Sequence, residues 1–159
     1  MNGPIASGGG PYLVVPEAAA SAWRGAADNA AYEAASRGPD AGSVTRVADR
    51  DALVLGTPDP LYYAPAANGG VLARVVSFDA DDDAVLAAHL RALPDDGWDE
   101  LGALEVRGAL LAFDSAIAGD DAAGDALRIE LAPGRYAVTS TTFQPDDGTE
   151  LLLTRLRRA

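Results

Sequence analysis

From residue 103 to residue 156 the chain repeats one pattern: a short run rich in Leu, Val, Ile, Tyr, Phe or Thr, then a break built mostly from Gly, Pro and Asp. Leu127-Arg128-Ile129-Glu130-Leu131 alternates apolar and polar residues strictly, which fits a strand with one face in a core and the other toward water. Ala132-Pro133-Gly134 turns that strand back, Arg135 to Phe143 continues the extended pattern, and Gln144-Pro145-Asp146-Asp147-Gly148 supplies a hairpin connection to Leu151–Leu156. Ala103–Val106 and Leu110–Phe113 are further strand candidates. Hairpin connections make neighbouring strands antiparallel, and that restricts the architecture more than any single residue does.

The first half adds helices. Tyr12–Val15 reads as a strand that Pro16 ends, and Pro16 then opens a helix through Glu17-Ala18-Ala19-Ala20-Ser21-Ala22-Trp23, with Gly25 as a stop signal and Trp23 as its core anchor. Asn29 to Ser36 reads as one or two helical turns capped by Asp28 or Asn29, and residues 37–50 as loop. Ala52–Leu55, Leu61–Tyr63 and Val71–Phe78 suit an antiparallel meander, broken by Pro58-Asp59-Pro60 and Asn68-Gly69-Gly70. Asp79 to Asp83 precede Val85, Leu86, His89, Leu90 and Leu93, the apolar stripe of an amphipathic helix that ends before Pro94. The class implied is α+β: a single domain with a mainly antiparallel twisted β-sheet and two or three short helices packed on it. Glycine-rich residues 1–10 read as a flexible N-terminal segment, and residues 11–159 as the domain. Of 159 residues, 34 are Ala, so 43 larger apolar side chains remain to fill one core.

The chemistry available is narrow. With no Cys and one His, disulfides, thiolate sites, cysteine nucleophiles and histidine-cluster zinc sites are excluded. Asp79–Asp83 has the spacing of a calcium loop at its start, but Ala84 and Leu90 stand where that loop needs Gly and a bidentate Glu. The acids there read instead as capping and helix-dipole residues, although capping accounts for only one or two of them. Ser115 beside Asp114 lacks a base, since His89 belongs to the apolar stripe, so a turn hydrogen bond is the expected role of Ser115. Gly8-Gly9-Gly10 precedes a strand rather than a helix and so is not a phosphate loop. The pairs Asp95/Asp96 and Asp99/Glu100 read as solvated loop acids rather than a general acid/base pair. No catalytic residue, metal site or cofactor is expected.

Charge says more. Twelve Arg and no Lys stand against 24 acids, a formal net charge of −12. Residues 79–150 alone hold 17 acids and four Arg, a local net of −13, and the last nine residues return +3. Such a field disfavours nucleic-acid phosphates and anionic membranes as partners and attracts a basic protein surface. No apolar stretch approaches the roughly 20 residues that span a bilayer, and the N-terminus lacks the basic start and apolar run of a signal peptide. A soluble, cytoplasmic protein is expected.

In order along the chain, Gly9-Gly10-Pro11-Tyr12-Leu13-Val14-Val15-Pro16 with Trp23-Arg24-Gly25, Leu53-Val54-Leu55-Gly56 with Asp59-Pro60, Ala112-Phe113-Asp114-Ser115-Ala116, and Leu127 to Tyr136 resemble the immunity protein 21 family of bacterial polymorphic toxin systems. The resemblance covers most of residues 9–156 and implies a non-enzymatic protein that binds and neutralises a cognate toxin by masking it. The charge is compatible with a basic toxin. Candidate toxin-binding residues are Asp81, Asp82, Asp95, Asp96, Trp98, Asp99, Glu100, Asp120 and Asp121, with Asp125 a further acid of the last group. Trp98 reads either as an apolar anchor among acids or as a core or hairpin anchor. The alternative is a small-ligand-binding or regulatory domain, and a carboxylate-dependent hydrolase ranks last.

Overall fold

Tyr12-Leu13-Val14-Val15, Ala52–Leu55 and Leu110–Phe113 have no polar residue to turn toward water. In the computed structural model, which describes residues 1–159, they form the three central strands of a sheet covered on both faces. In chain order the strands are β1 (Asn2–Ile5), β2 (Tyr12–Pro16), β3 (Ser43–Val47), β4 (Arg50–Leu55), β5 (Leu61–Ala66), β6 (Gly69–Phe78), β7 (Asp99–Val106), β8 (Leu110–Asp114), β9 (Leu127–Ile129), β10 (Gly134–Asp146) and β11 (Thr149–Arg158). The helices are α1 (Asn29–Ser36), α2 (Asp83–Arg91) and the short α3 (Gly119–Ala122), with 3-10 turns at Glu17–Ala22 and Gly25–Ala27.

The strands form two antiparallel sheets, one ordered β3-β4-β2-β8-β9 and the other β1-β5-β6-β11-β10-β7. Tyr12, Val14, Leu53 and Leu55 of the first meet Leu72, Leu104, Tyr136 and Leu156 of the second in the central core. The alternate residues Leu13, Val15, Val54 and Phe113 face outward onto Trp23 and onto Ala19, Ala20, Ala35 and Ala122, whose small side chains let the helical turns lie close. On the outer side of the second sheet, Leu86 and Leu90 of α2 cover Val71, Ala73, Leu151 and Leu153. Four layers result: helical turns, sheet, sheet, helix.

The α+β class, the 29–36 and 83–91 helices and the hairpins are as expected, with two sheets in place of one. Three local expectations are corrected. Residues 43–47, read as loop, are strand β3; Ala48 and Asp49 both have positive φ (48° and 60°), a type I′ geometry that closes a hairpin without the usual Asn-Gly signal. Residues 2–5 of the segment read as flexible are strand β1, paired with β5. Gly3 has a φ of +114°, and a Cβ there would lie 2.7 Å from the Leu61 carbonyl oxygen, so only glycine permits this approach. The 17–22 turn is 3-10 rather than α: Trp23 donates from its amide to the Ala20 carbonyl and its indole is fixed to the Ser115 carbonyl at 2.8 Å, so the chain is drawn tight after six residues.

Arg74 on β6 is fully buried. Its guanidinium donates to the carbonyls of Asp40 (2.6 Å) and Ala41 (3.1 Å) and to the Thr57 hydroxyl (3.0 Å). Burial pulls its pKa down to about 10, opposed by Asp59 and Asp40, so it stays charged at neutral pH. One cation thus ties the loop entering β3 and the crossing between the sheets to the second sheet. Arg74→Ala is expected to cost roughly 3 kcal/mol or more in urea unfolding, because three acceptors lose their donor and a cavity opens. Arg74→Lys should recover less than half of that, since one ammonium cannot reproduce the fork.

Candidate functional site

The acids around α2 are placed by capping at one end and by a turn at the other. Asp82 is the N-cap, accepting from the Ala84 amide at 2.8 Å, and Asp83 sits in the first turn, where the helix dipole favours a negative charge. The strand before them is tied across the sheet: the Asp79 amide donates to the Gly148 carbonyl at 3.1 Å. Asp79, Asp81, Asp82 and Asp83 therefore stand beside the β10–β11 turn with its Asp146 and Asp147, and Glu150 follows at the start of β11. These last three were missed in the sequence, where residues 144–148 signalled only a turn; the cross-strand pairing of β6 with β11 is what makes one acidic end of two distant segments.

His89 lies between α2 and this turn, with Nε2 3.3 Å from an Asp146 carboxylate oxygen. Asp146 is held below the ordinary carboxylate range, first by the Thr149 hydroxyl, then by the Gly148 amide (3.0 Å) and by His89.

Beyond α2, Asp95 and Asp96 are exposed in the Pro94–Gly97 loop, and the Trp98 indole donates back to the Pro94 carbonyl at 2.9 Å. Trp98 is half-buried, packed against the α2 cluster, with the Arg155 guanidinium 4.0 Å from its ring centroid. Asp99 and Glu100 open β7 as exposed residues of an edge strand. Glu100 lies opposite Thr139, on the α2 side of the sheet, whereas Asp99 lies opposite buried Ser140 and lines an 80 Å³ hollow over Arg74. Asp120 and Asp121 are exposed in the first turn of α3, whose Ala122 packs on the other sheet. Thus Asp81, Asp82, Asp95, Asp96, Trp98 and Glu100 share one side of the molecule, Asp99 turns at its edge, and Asp120 and Asp121 belong to the opposite layer.

None of these acids forms an ion pair, whereas Glu17, Glu33, Asp51 and Glu130 each have an Arg partner. Ser115 donates to the Pro11 carbonyl at 2.6 Å and its own carbonyl holds Trp23, the turn role expected of it. Its neighbour Asp114 accepts from the Gly8 and Ala116 amides. No three His, Asp or Glu side chains converge on a metal-sized site. The surface hollows are open: one of about 290 Å³ is lined by Asn68, Val71, Asp95, Arg155 and Arg157, among others, and one of about 370 Å³ by residues of the acidic turn.

This geometry is an exposed, mostly acidic surface carried on a stacked-sheet scaffold. A family model described as immunity protein 21 matches residues 4–149, from within β1 to the first residue of β11, and the chain belongs to that family of toxin-system immunity proteins. Such proteins are generally non-catalytic. No curated protein and no solved structure matches the chain. No helix is long and apolar enough to cross a membrane.

The position of Asp146 sets a pH dependence. Because its pKa is lowered in the folded state, the stabilisation is present above the ordinary carboxylate value of about 4 and is lost as pH falls through the depressed one. Urea midpoints of Asp146→Asn are expected to lie below wild type at pH 7 and to converge with it toward pH 2.

Proposed function

We propose that the protein binds and neutralises a cognate toxin in the cytoplasm, using the α2 side of the second sheet to mask the toxin's active or substrate-binding surface. The observation that carries this reading is the grouping of carboxylates without ion-pair partners around both ends of α2, in a member of an immunity-protein family. Asp146, next to His89, is the only acid of that side held in a pair.

A toxin that acts on nucleic acid carries a basic surface, and unpaired acids attract it, speed the encounter and compete with its substrate. Asp81, Asp82, Asp95, Asp96 and Glu100 supply that field at the face, Asp99 at its rim, and Asp120 and Asp121 only from the far layer. Field alone gives rate rather than residence; Trp98, the large aromatic among these acids, supplies the anchor. The hollows support this reading over small-ligand binding, because enclosed and mainly apolar pockets of roughly 300–1,000 Å³ are the usual ligand sites.

Coexpression with the toxin encoded beside it is expected to rescue growth and yield a stable complex; no rescue and no complex would sink the proposal. Reversing Asp96 and Glu100 to Lys should lower the association rate several-fold at low salt and flatten its salt dependence, with unchanged thermal unfolding. Reversal of Asp120 and Asp121 should do much less. Equal effects from both sets would place the contact elsewhere.

A further inference from the structure

In a chain of net charge −12, one corner of the α2 side is basic. Arg155 and Arg157 alternate on β11 so that both point to the outer side, where Arg157 lies opposite Ala137 and Arg155 opposite Thr139. Neither is in an ion pair. They line the groove of about 290 Å³ together with Asn68, Val71 and Asp95. Its wall at Gly69 and Gly70 is bare by necessity: a Cβ at Gly69 would fall 1.9 Å from the Leu156 carbonyl oxygen, and one at Gly70 would strike the Tyr63 ring.

Arg155 is poised rather than satisfied. Its Nε is buried without a hydrogen-bond partner, and its guanidinium lies over the Trp98 face, an arrangement that holds the plane of the fork and leaves its donors at the edge. Burial, and next the charge of Arg157, disfavour its protonated form, and Asp95 offsets this only in part. Two guanidinium groups against one carboxylate leave the groove net positive.

We infer that this groove is a receptor for an acidic side chain, an Asp or Glu on an exposed segment of the protein partner, seated on the donors of Arg155 and Arg157 beside Trp98. Charge complementarity selects this occupant. A planar carboxylate matches an Arg fork, relieves the cost of burying Arg155, and brings a single negative charge. A nucleic-acid strand brings many charges into the field of an acidic chain, which excludes it here. The inference rests on the reading of the protein as a partner-binding module and refines it: the partner presents a basic surface to the acids and one acidic residue to this corner.

The test needs no toxin. A blocked Gly-Glu-Asp-Glu-Gly peptide is titrated into the full-length protein and the indole N–H resonances followed by NMR, with Gly-Gln-Asn-Gln-Gly as the neutral control. The acidic peptide should shift the Trp98 resonance saturably, while the resonance of Trp23, held on the Ser115 carbonyl, stays in place and reports an intact fold. Arg157→Gln, at an exposed and unpaired position, should weaken binding about tenfold; Asp95→Asn, which removes a like charge, should tighten it several-fold. No Trp98 shift, an equal shift with the neutral peptide, or weaker binding in Asp95→Asn would each overturn the inference. Absence of a toxin complex, by contrast, bears on the proposed function and leaves this titration standing.

Discussion

Strands β2, β4 and β8 are apolar at nearly every position, and a sheet whose middle is apolar on both faces must be covered twice. The rest of the architecture answers that demand. One cover is the second sheet, and the other is the layer of helical turns that the Ala-rich stretches make thin enough to fit. A Cβ at Gly119 would stand 1.7 Å from the Ala20 carbonyl oxygen, a measure of how closely α3 meets the turn before it. That layer is therefore committed to packing. The second sheet is relieved of it: α2 covers β6 and β11, while Ala137 on the neighbouring strand is exposed and its cross-strand partner Ala103 only partly buried. Recognition is free to use the sheet that packing does not exhaust.

Electrostatics divides along the same line. Arg74 is spent inside, where its three bonds close a gap between sheets and loops. The exposed pairs Glu33–Arg37 and Glu17–Arg128 are solvated and screened, and contribute too little to decide the fold. Apart from Asp82 and Asp83 at the start of α2 and Asp146 beside His89, the carboxylates around α2 do neither job. They cost little where they are solvated, yet their summed potential reaches as far as screening allows, about 10 Å at 0.1 M salt. In the proposed complex they would set the rate of encounter, and residence would fall to groups that exclude water, such as Trp98 under Arg155.

What could be read in the sequence was whatever announces itself within one segment. Helix α2 was legible from its stripe and from the acids before it, and the β10–β11 hairpin from its two extended runs and the Pro-Asp-Asp-Gly turn between them. Strand β3 was not, because an Ala-Asp pair closes its hairpin by adopting positive φ under tertiary constraint; nor was β1, whose glycines look mobile until Leu61 is seen to require one. The site divided in the same way. Local charge singled out Asp81, Asp82, Asp95, Asp96 and Glu100, which the fold sets on the α2 side, together with Asp120 and Asp121, which it sets elsewhere, since sequence cannot say that α3 and α2 lie in opposite outer layers. Asp146, Asp147 and Glu150 were hidden for the converse reason: strand pairing across the sheet brings them to Asp79, and no periodicity records it. Trp98 is packed against the α2 cluster, as its reading as a core or hairpin anchor has it, and its ring also meets Arg155.

The long strands give the α2 side a polarity that the net charge conceals. Strand β11 runs from Thr149, at the acidic turn, to Arg157 and Arg158 at the other end, about 30 Å at the usual rise per residue. Asp79, Asp81, Asp82, Asp83, Asp146, Asp147 and Glu150 crowd one end with no arginine among them, while at the other end Arg155 and Arg157 stand without ion-pair partners alongside Asp95 and Glu100. A uniformly acidic face accepts a basic surface in any rotation, whereas a two-signed face penalises the wrong one, because reversing the partner sets like charges against each other at both ends. Specificity then arises from repulsion of misaligned complexes as much as from attraction in the correct one. Under the proposed function, the outward-facing arginines of β11 would fix orientation for a field whose strength comes from the acids.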